Sequence, residues 1–115
     1  EDKEMSKYHN KKVTVDNYVF DSIAESKRYK ELCLLEKANK IKSLELQPKF
    51  ELQEAFIKNG KRYKAITYTA DFMYLDVEKN CIVVEDVKGF ETKEFKLKQK
   101  MFEYKYKNLS LVLIK

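Results

Sequence analysis

The C-terminal third of this chain leaves few folds open. An apolar run, Cys81-Ile82-Val83-Val84, continues through Glu85-Asp86-Val87-Lys88 and stops at Gly89. Thr92 is placed to cap a helix over roughly residues 93–107, with Leu97, Met101 and Tyr104 spaced along one face. Asn108 can take the left-handed position that ends it. A second apolar run follows from Leu109 to Ile114. Strand, helix and strand in this order predict two parallel strands joined by a right-handed crossover.

Alternation along the first of these strands puts Ile82, Val84, Asp86 and Lys88 on one face. A carboxylate that follows an apolar run is costly to bury unpaired, so Asp86 calls for a metal or a partner.

The segments before this unit read as one helix and a β-meander. Residues 1–12 form a polar N-terminal arm with Lys7, Lys11 and Lys12 around Tyr8 and His9. Val13 to Phe20 alternates loosely, as a short strand or hairpin. A helix begins near Asp21-Ser22, where Ser22 and Glu25 make an S-x-x-E capping box. Ala24, Leu32, Leu35 and Ala38, with Cys33 and Tyr29 beside them, mark its expected buried stripe, and Asn39 its end. Pro48 lacks an N–H and belongs at a strand start or edge. Phe50, Leu52 and Phe56 suggest a strand. Asn59-Gly60 suits a type I′ hairpin, in which both residues take positive φ. A long return strand is expected from Tyr63 to Leu75, then a turn at Glu78-Lys79-Asn80. Asp71 lies near the end of that return strand, and the hairpin folds it back toward Asp86.

Size and composition narrow the functions open to such a chain. The 115 residues are enough for one domain, residues 13–115 after the arm. Lys and Arg total 24 against 19 Asp and Glu, a net charge of +5, which suits a polyanionic partner. Cys33 and Cys81 stand in no CxxC or Cys/His cluster, so a zinc site is not expected. Both read as reduced core residues, which points to the cytoplasm. No apolar run approaches the roughly 20 residues that span a bilayer. No signal peptide is visible, and Glu1-Asp2-Lys3-Glu4 reads as a cloning remnant or a leader. No small-molecule substrate and no membrane partner are expected.

Asp71, Asp86 and Lys88 together are suited to phosphodiester hydrolysis. Two Asp side chains supply hard oxygen ligands for Mg²⁺ (or Mn²⁺), which retains several waters. The carbonyl of Val87 offers one further ligand. Lys88 can orient or help deprotonate the attacking water, or place its charge beside the developing negative one.

The order Asp71…Asp86-Val87-Lys88 on consecutive strands resembles the PD-(D/E)XK nuclease superfamily. A longer series extends the likeness: Phe20-Asp21-Ser22…Glu25…Arg28-Tyr29, Gln47-Pro48, Tyr68…Ala70-Asp71-Phe72, and Val84-Glu85-Asp86-Val87-Lys88-Gly89. That series is similar to a DUF1064-like family of small phage and prophage proteins, over roughly residues 7 to 115. The resemblance implies an α/β (α+β) fold with a restriction-endonuclease-like αβββαβ core, a central mixed sheet flanked by two helices. It matches Asp71 and Asp86 to the acidic metal ligands, Lys88 to the catalytic lysine, and Glu25 to the first-helix acid that supports a metal through water. Ala70 stands where the superfamily motif has proline. Lys98 and Gln99 resemble positions used near the scissile phosphate, and Lys7, Lys11, Lys12 and Arg28 are candidate DNA contacts.

The implied activity is a Mg²⁺-dependent, phage-type DNA endonuclease of a bacterial host cell. A link to recombination points to branched substrates such as Holliday junctions. A junction resolvase needs two active sites, and hence a homodimer. The competing readings are a non-catalytic DNA-binding or regulatory protein on the same fold and a small protein-interaction adaptor whose charges only solubilise it. The bland reading of each residue is a salt bridge, a helix cap or a solvated lysine. Glu85, by alternation, points away from Asp86.

Overall fold

The computed structural model describes residues 12–115. Its architecture is α+β. Ten strands and two helices follow in chain order: β1 (Val13–Val15), β2 (Tyr18–Phe20), α1 (Ile23–Lys37), β3 (Ile41–Leu46), β4 (Lys49–Gln53), β5 (Phe56–Lys58), β6 (Lys61–Tyr63), β7 (Ile66–Thr69), β8 (Phe72–Asp76), β9 (Cys81–Val87), α2 (Lys93–Lys105) and β10 (Ser110–Ile114). No helix among the described residues is long and apolar enough to cross a membrane.

Local chemistry sets the boundaries of α1. The Ser22 hydroxyl accepts the Glu25 N–H at 3.1 Å, while a Glu25 carboxylate oxygen accepts the Asp21 N–H at 3.2 Å. These bonds satisfy two backbone donors at the helix start and its approach. At the other end Asn39 has φ of 61°. The Asn39 N–H donates to Glu36 O and the Lys40 N–H to Leu35 O. That is the Schellman pattern expected where a residue tolerates the left-handed region. Asp16-Asn17 and Asn59-Gly60 both carry positive φ at two successive residues, as hairpins of two-residue loops require.

The central sheet has four strands in the order β10-β9-β8-β3. The outer pair β10–β9 is parallel, and β9–β8 and β8–β3 are antiparallel. The strand–helix–strand expectation for residues 82–114 is met. Each face of the sheet carries its own core. Phe72, Tyr74 and Val83 pack with Phe20, Ile41 and the α1 residues Tyr29 and Leu32 on one side. Val84 packs with Phe50, Tyr68, Ala70 and the α2 residues Phe95 and Phe102 on the other. The sheet is thus flanked by the two helices.

Several expectations need correction. The return strand expected from Tyr63 to Leu75 is broken into β6, β7 and β8. The backbone changes partner between adjacent residues: the Ala70 N–H donates to Pro48 O, and the Asp71 N–H to Glu85 O. The chain leaves the β4–β7 ribbon at Ala70 and joins the central sheet at Asp71. Helix α2 is rotated from the expected face. Leu97 is 60% exposed and Tyr104 78% exposed, while Phe95 and Phe102 are buried. Buried Phe rings are large apolar groups that pair with other rings, and Phe102 sits 5.0 Å from Phe50 and 5.7 Å from Tyr68 between ring centroids. Asn108 does not take a positive φ, and the helix ends earlier, with Tyr106 as its cap. On α1, Ala24 and Ala38 are exposed, and Glu25 and Ser26, which lie outside the expected stripe, are buried with Tyr29 and Leu32. Cys33 and Cys81 are unpaired and half-buried against the first core.

Candidate active site

The switch of backbone partners at residues 70–71 has a direct chemical result. It fixes Asp71 at the junction of ribbon and sheet, opposite the end of β9. One carboxylate oxygen of Asp71 accepts the Val87 N–H at 2.7 Å. The Asp71 N–H is bound to β9 in turn, so both ends of the residue are held.

Asp86 is 3% exposed on the face of β9 that looks toward α2. The Tyr68 hydroxyl, from β7, donates to one of its carboxylate oxygens. The Lys88 ammonium lies 3.7 Å from the other. The same ammonium sits 4.6 Å over the Phe95 ring, which restrains a flexible side chain by a cation–π contact. Glu25, from the first turn of α1, adjoins Asp71. Its carboxylate accepts the capping bond from the Asp21 N–H and also faces the cleft.

Asp71, Asp86, Lys88 and Glu25 line one cleft of about 770 Å³, together with Asp21, Ser22, Val87, Gly89 and Thr92. Both helices begin at this cleft, at the caps Ser22 and Thr92. Helix N-termini carry partial positive charge and unpaired N–H groups, an arrangement that favours phosphate.

The buried acids resist ionisation. Burial pushes the Asp71 carboxyl up to about 7, and the neighbouring Glu25 adds to the shift. Burial pushes Asp86 up to about 6, against the opposing hydrogen bond from Tyr68. Tyr68 is raised well above its ordinary range by burial and by the Asp86 carboxylate. A carboxyl raised on folding stabilises the fold below its unfolded pKa, and that contribution is lost as pH rises through the folded value. The metal-free protein is therefore expected to lose melting temperature between pH 5 and pH 8. Asp71→Asn should flatten that slope and melt higher than wild type at pH 8. Thermal melts of the two proteins in EDTA across this range check it, because the comparison cancels the titrating groups that do not interact with Asp71.

The donor set fits a hard divalent cation. Asp71 and Asp86 supply two carboxylates at a cleft that has room for water. Among the described residues, no three His, Cys, Asp or Glu side chains close round one ion unaided. That is compatible with Mg²⁺, which keeps several waters and takes one or two protein carboxylates.

The structure brings Asp71, Asp86, Lys88, Glu25 and Val87 together. It separates others. Arg28, expected at a DNA phosphate, lies on the opposite face of the sheet. Its guanidinium donates to both oxygens of Glu85 at 2.8 and 2.6 Å and to Glu31 at 2.7 Å. A planar fork committed to two carboxylates has little left for phosphate. Glu85 points away from Asp86, as alternation requires. Lys98 pairs with Glu94 at 3.5 Å, and neither Lys98 nor Gln99 lines the cleft. Lys12 pairs with Asp21 at 3.1 Å, at the rim of the cleft. Lys7 and Lys11 lie outside the described residues.

Sequence reasoning missed one participant. Tyr68 carries no role there, although a hydroxyl in a buried strand needs a partner. Away from the cleft, the Tyr74 hydroxyl likewise finds Glu85, to which it donates at 2.5 Å.

Among curated proteins, none matches this chain. A family model described as "Protein of unknown function (DUF1064)" matches residues 5–115. With all but its first four residues covered by that match, the chain belongs to the DUF1064 family.

Proposed function

We propose that this protein is a metal-dependent DNA endonuclease of the PD-(D/E)XK kind, acting on phosphodiester bonds and on branched DNA in particular. The observation that carries the proposal is the convergence of Asp71, Asp86 and Lys88 on one cleft, with Glu25 beside them. A bound divalent cation would supply Lewis-acid polarisation of the phosphate and a water of lowered pKa.

The chain's own residues do the rest. Asp71 and Asp86 hold the cation, and Tyr68 fixes the orientation of Asp86. The Val87 N–H fixes that of Asp71. Lys88 places positive charge where negative charge develops on the phosphate, and its position against Asp86 and Phe95 costs little reorganisation. Glu25 holds a water or a proton at the edge of the pair. The N-termini of α1 and α2 favour the incoming phosphate. Cutting both strands at a four-way junction requires two such clefts, and so a homodimer.

The test is cleavage of labelled linear, flapped and four-way-junction DNA with Mg²⁺ or Mn²⁺, beside EDTA. Metal-dependent cutting is expected, strongest on the junction. Lys88→Met should lower the rate by about 10²–10⁴-fold while DNA affinity changes little, since proton handling and charge stabilisation each contribute on that scale. Clean DNA binding without cleavage under every condition would instead favour a non-catalytic DNA-binding protein.

A further inference from the structure

The hairpin formed by β5 and β6 stands apart from both cores. Its strands pair only with each other, Phe56↔Tyr63, Ile57↔Arg62 and Lys58↔Lys61. Every residue from Gln53 to Ala65 is exposed, including Ile57 at 71%. What holds it is the Asn59-Gly60 turn, the ladder, and a stack of Phe56 on Tyr63 at 4.7 Å between centroids.

Its charge is unusual for so short a segment. Lys58, Lys61, Arg62 and Lys64 face only one carboxylate, Glu54, so three of the chain's five net positive charges lie here. Lys58 and Lys61 stand directly opposite each other. Like charges in that position destabilise a ladder. None of the four cations makes an ion pair with a described residue. A ribbon that concentrates unneutralised charge at its tip is shaped for an external polyanion. Its root leads to the cleft: β4 and β7 continue the same hairpin, and β7 carries Tyr68, which holds Asp86.

We infer that the β5–β6 hairpin is a DNA-binding arm that lies in the groove of duplex DNA, with Lys58, Lys61, Arg62 and Lys64 on the phosphates. A two-stranded ribbon fits the major groove. Cations occur on both faces of this ribbon, as a groove with phosphates on either side demands. A membrane surface would want its apolar groups on one face and its charges on the other, but Phe56 and Ile57 point to opposite faces. The inference deepens the proposed function by naming a substrate contact, and its test does not depend on cleavage.

Binding of a labelled 30-base-pair duplex is measured by anisotropy in EDTA over a salt series, using the full chain. The variant Lys58→Gln/Lys61→Gln/Arg62→Gln/Lys64→Gln is compared with Lys30→Gln/Lys37→Gln/Lys40→Gln/Lys42→Gln, which removes the same charge elsewhere. Circular dichroism and melting establish that both fold. The hairpin variant is expected to bind about 10–100-fold more weakly. Its slope of log affinity against log salt should fall by about 3 to 4, one unit per lost phosphate contact. Equal weakening in both variants would reduce the effect to net charge and overturn the inference, as would unchanged binding in the hairpin variant. Hairpin-dependent binding to phosphatidylserine vesicles but not to DNA would overturn it too. A hairpin variant that binds normally and a wild type that cuts would sink this inference alone. Hairpin-dependent binding by a wild type that cuts no DNA would sink the nuclease proposal and leave this one standing.

Discussion

Replacing Asp86 with Asn is expected to abolish DNA cleavage while making the metal-free fold more stable at pH 8. The two effects have one cause. Asp86 is a carboxylate held at 3% exposure, with burial raising its pKa to about 6. At pH 8 the folded protein must keep that group ionised in a poorly solvated place, beside Asp71. Asn removes the charge yet keeps an oxygen to accept the Tyr68 hydroxyl, so the packing survives. The relief is on the order of 1–2 kcal/mol, since one pKa unit corresponds to about 1.4 kcal/mol and the site is partly open to water. The same change removes a cation ligand. Charge stabilisation by a bound metal is worth several kcal/mol in the transition state, so the rate should fall about a thousandfold or more. Single-turnover cleavage in Mg²⁺ and thermal melting in EDTA report the two arms. A variant that lost activity and also lost stability would indicate a structural role for Asp86. Added Mg²⁺ should raise the melting temperature of wild type and leave Asp86→Asn nearly unmoved, because a ligand stabilises only the state that binds it.

Arg28→Ala is expected to be the most damaging single change to the fold itself. Glu85 is 1% exposed in the central strand. Its two oxygens are taken by the Arg28 guanidinium at 2.8 and 2.6 Å and by the Tyr74 hydroxyl at 2.5 Å. Side-chain bonding to Glu85 holds the Arg28 proton more tightly than usual, against the effect of burial. Removing the cation leaves a carboxylate inside the sheet without its counter-charge. Breaking such a pair costs about 3–5 kcal/mol, a large part of the roughly 5–15 kcal/mol that holds a small domain together. The triple change Arg28→Met/Tyr74→Phe/Glu85→Leu removes all three polar groups together and should return most of that loss. Urea unfolding of wild type, single and triple variants measures the difference. The triple variant should also keep the salt dependence of DNA binding, because the Arg28 guanidinium is taken up by Glu85 and Glu31. A lower salt slope in that variant would restore Arg28 as a phosphate contact.

Much of this molecule was legible along the chain because its causes are local. Ser22 and Thr92 cap their helices through donors three residues away. Asn39 ends α1 and Asn59-Gly60 reverses the chain through their own tolerance of positive φ. The pairing of β9 with β10 follows from two apolar runs separated by a helix. Alternation then put Asp86 and Lys88 on one face and Glu85 on the other, with no tertiary information required.

Tertiary structure decided what depends on competition among distant groups for the interior. Phe95 and Phe102, not Leu97 and Tyr104, turned inward because Phe50 and Tyr68, some 30 to 50 residues earlier, offered aromatic surface to bury. The break at Ala70–Asp71 arose because two different partners, Pro48 and Glu85, bind successive N–H groups. Arg28 went to Glu85, 57 residues away, because a carboxylate inside a sheet requires a counter-charge. Tyr68 reached Asp86 because a buried hydroxyl requires an acceptor. Sequence by itself determined which residues could carry the chemistry, where the helices start and where the tight turns fall, through bonds that span a few residues. Desolvation and packing, which are summed over contacts far apart in the chain, decided which of those residues meet.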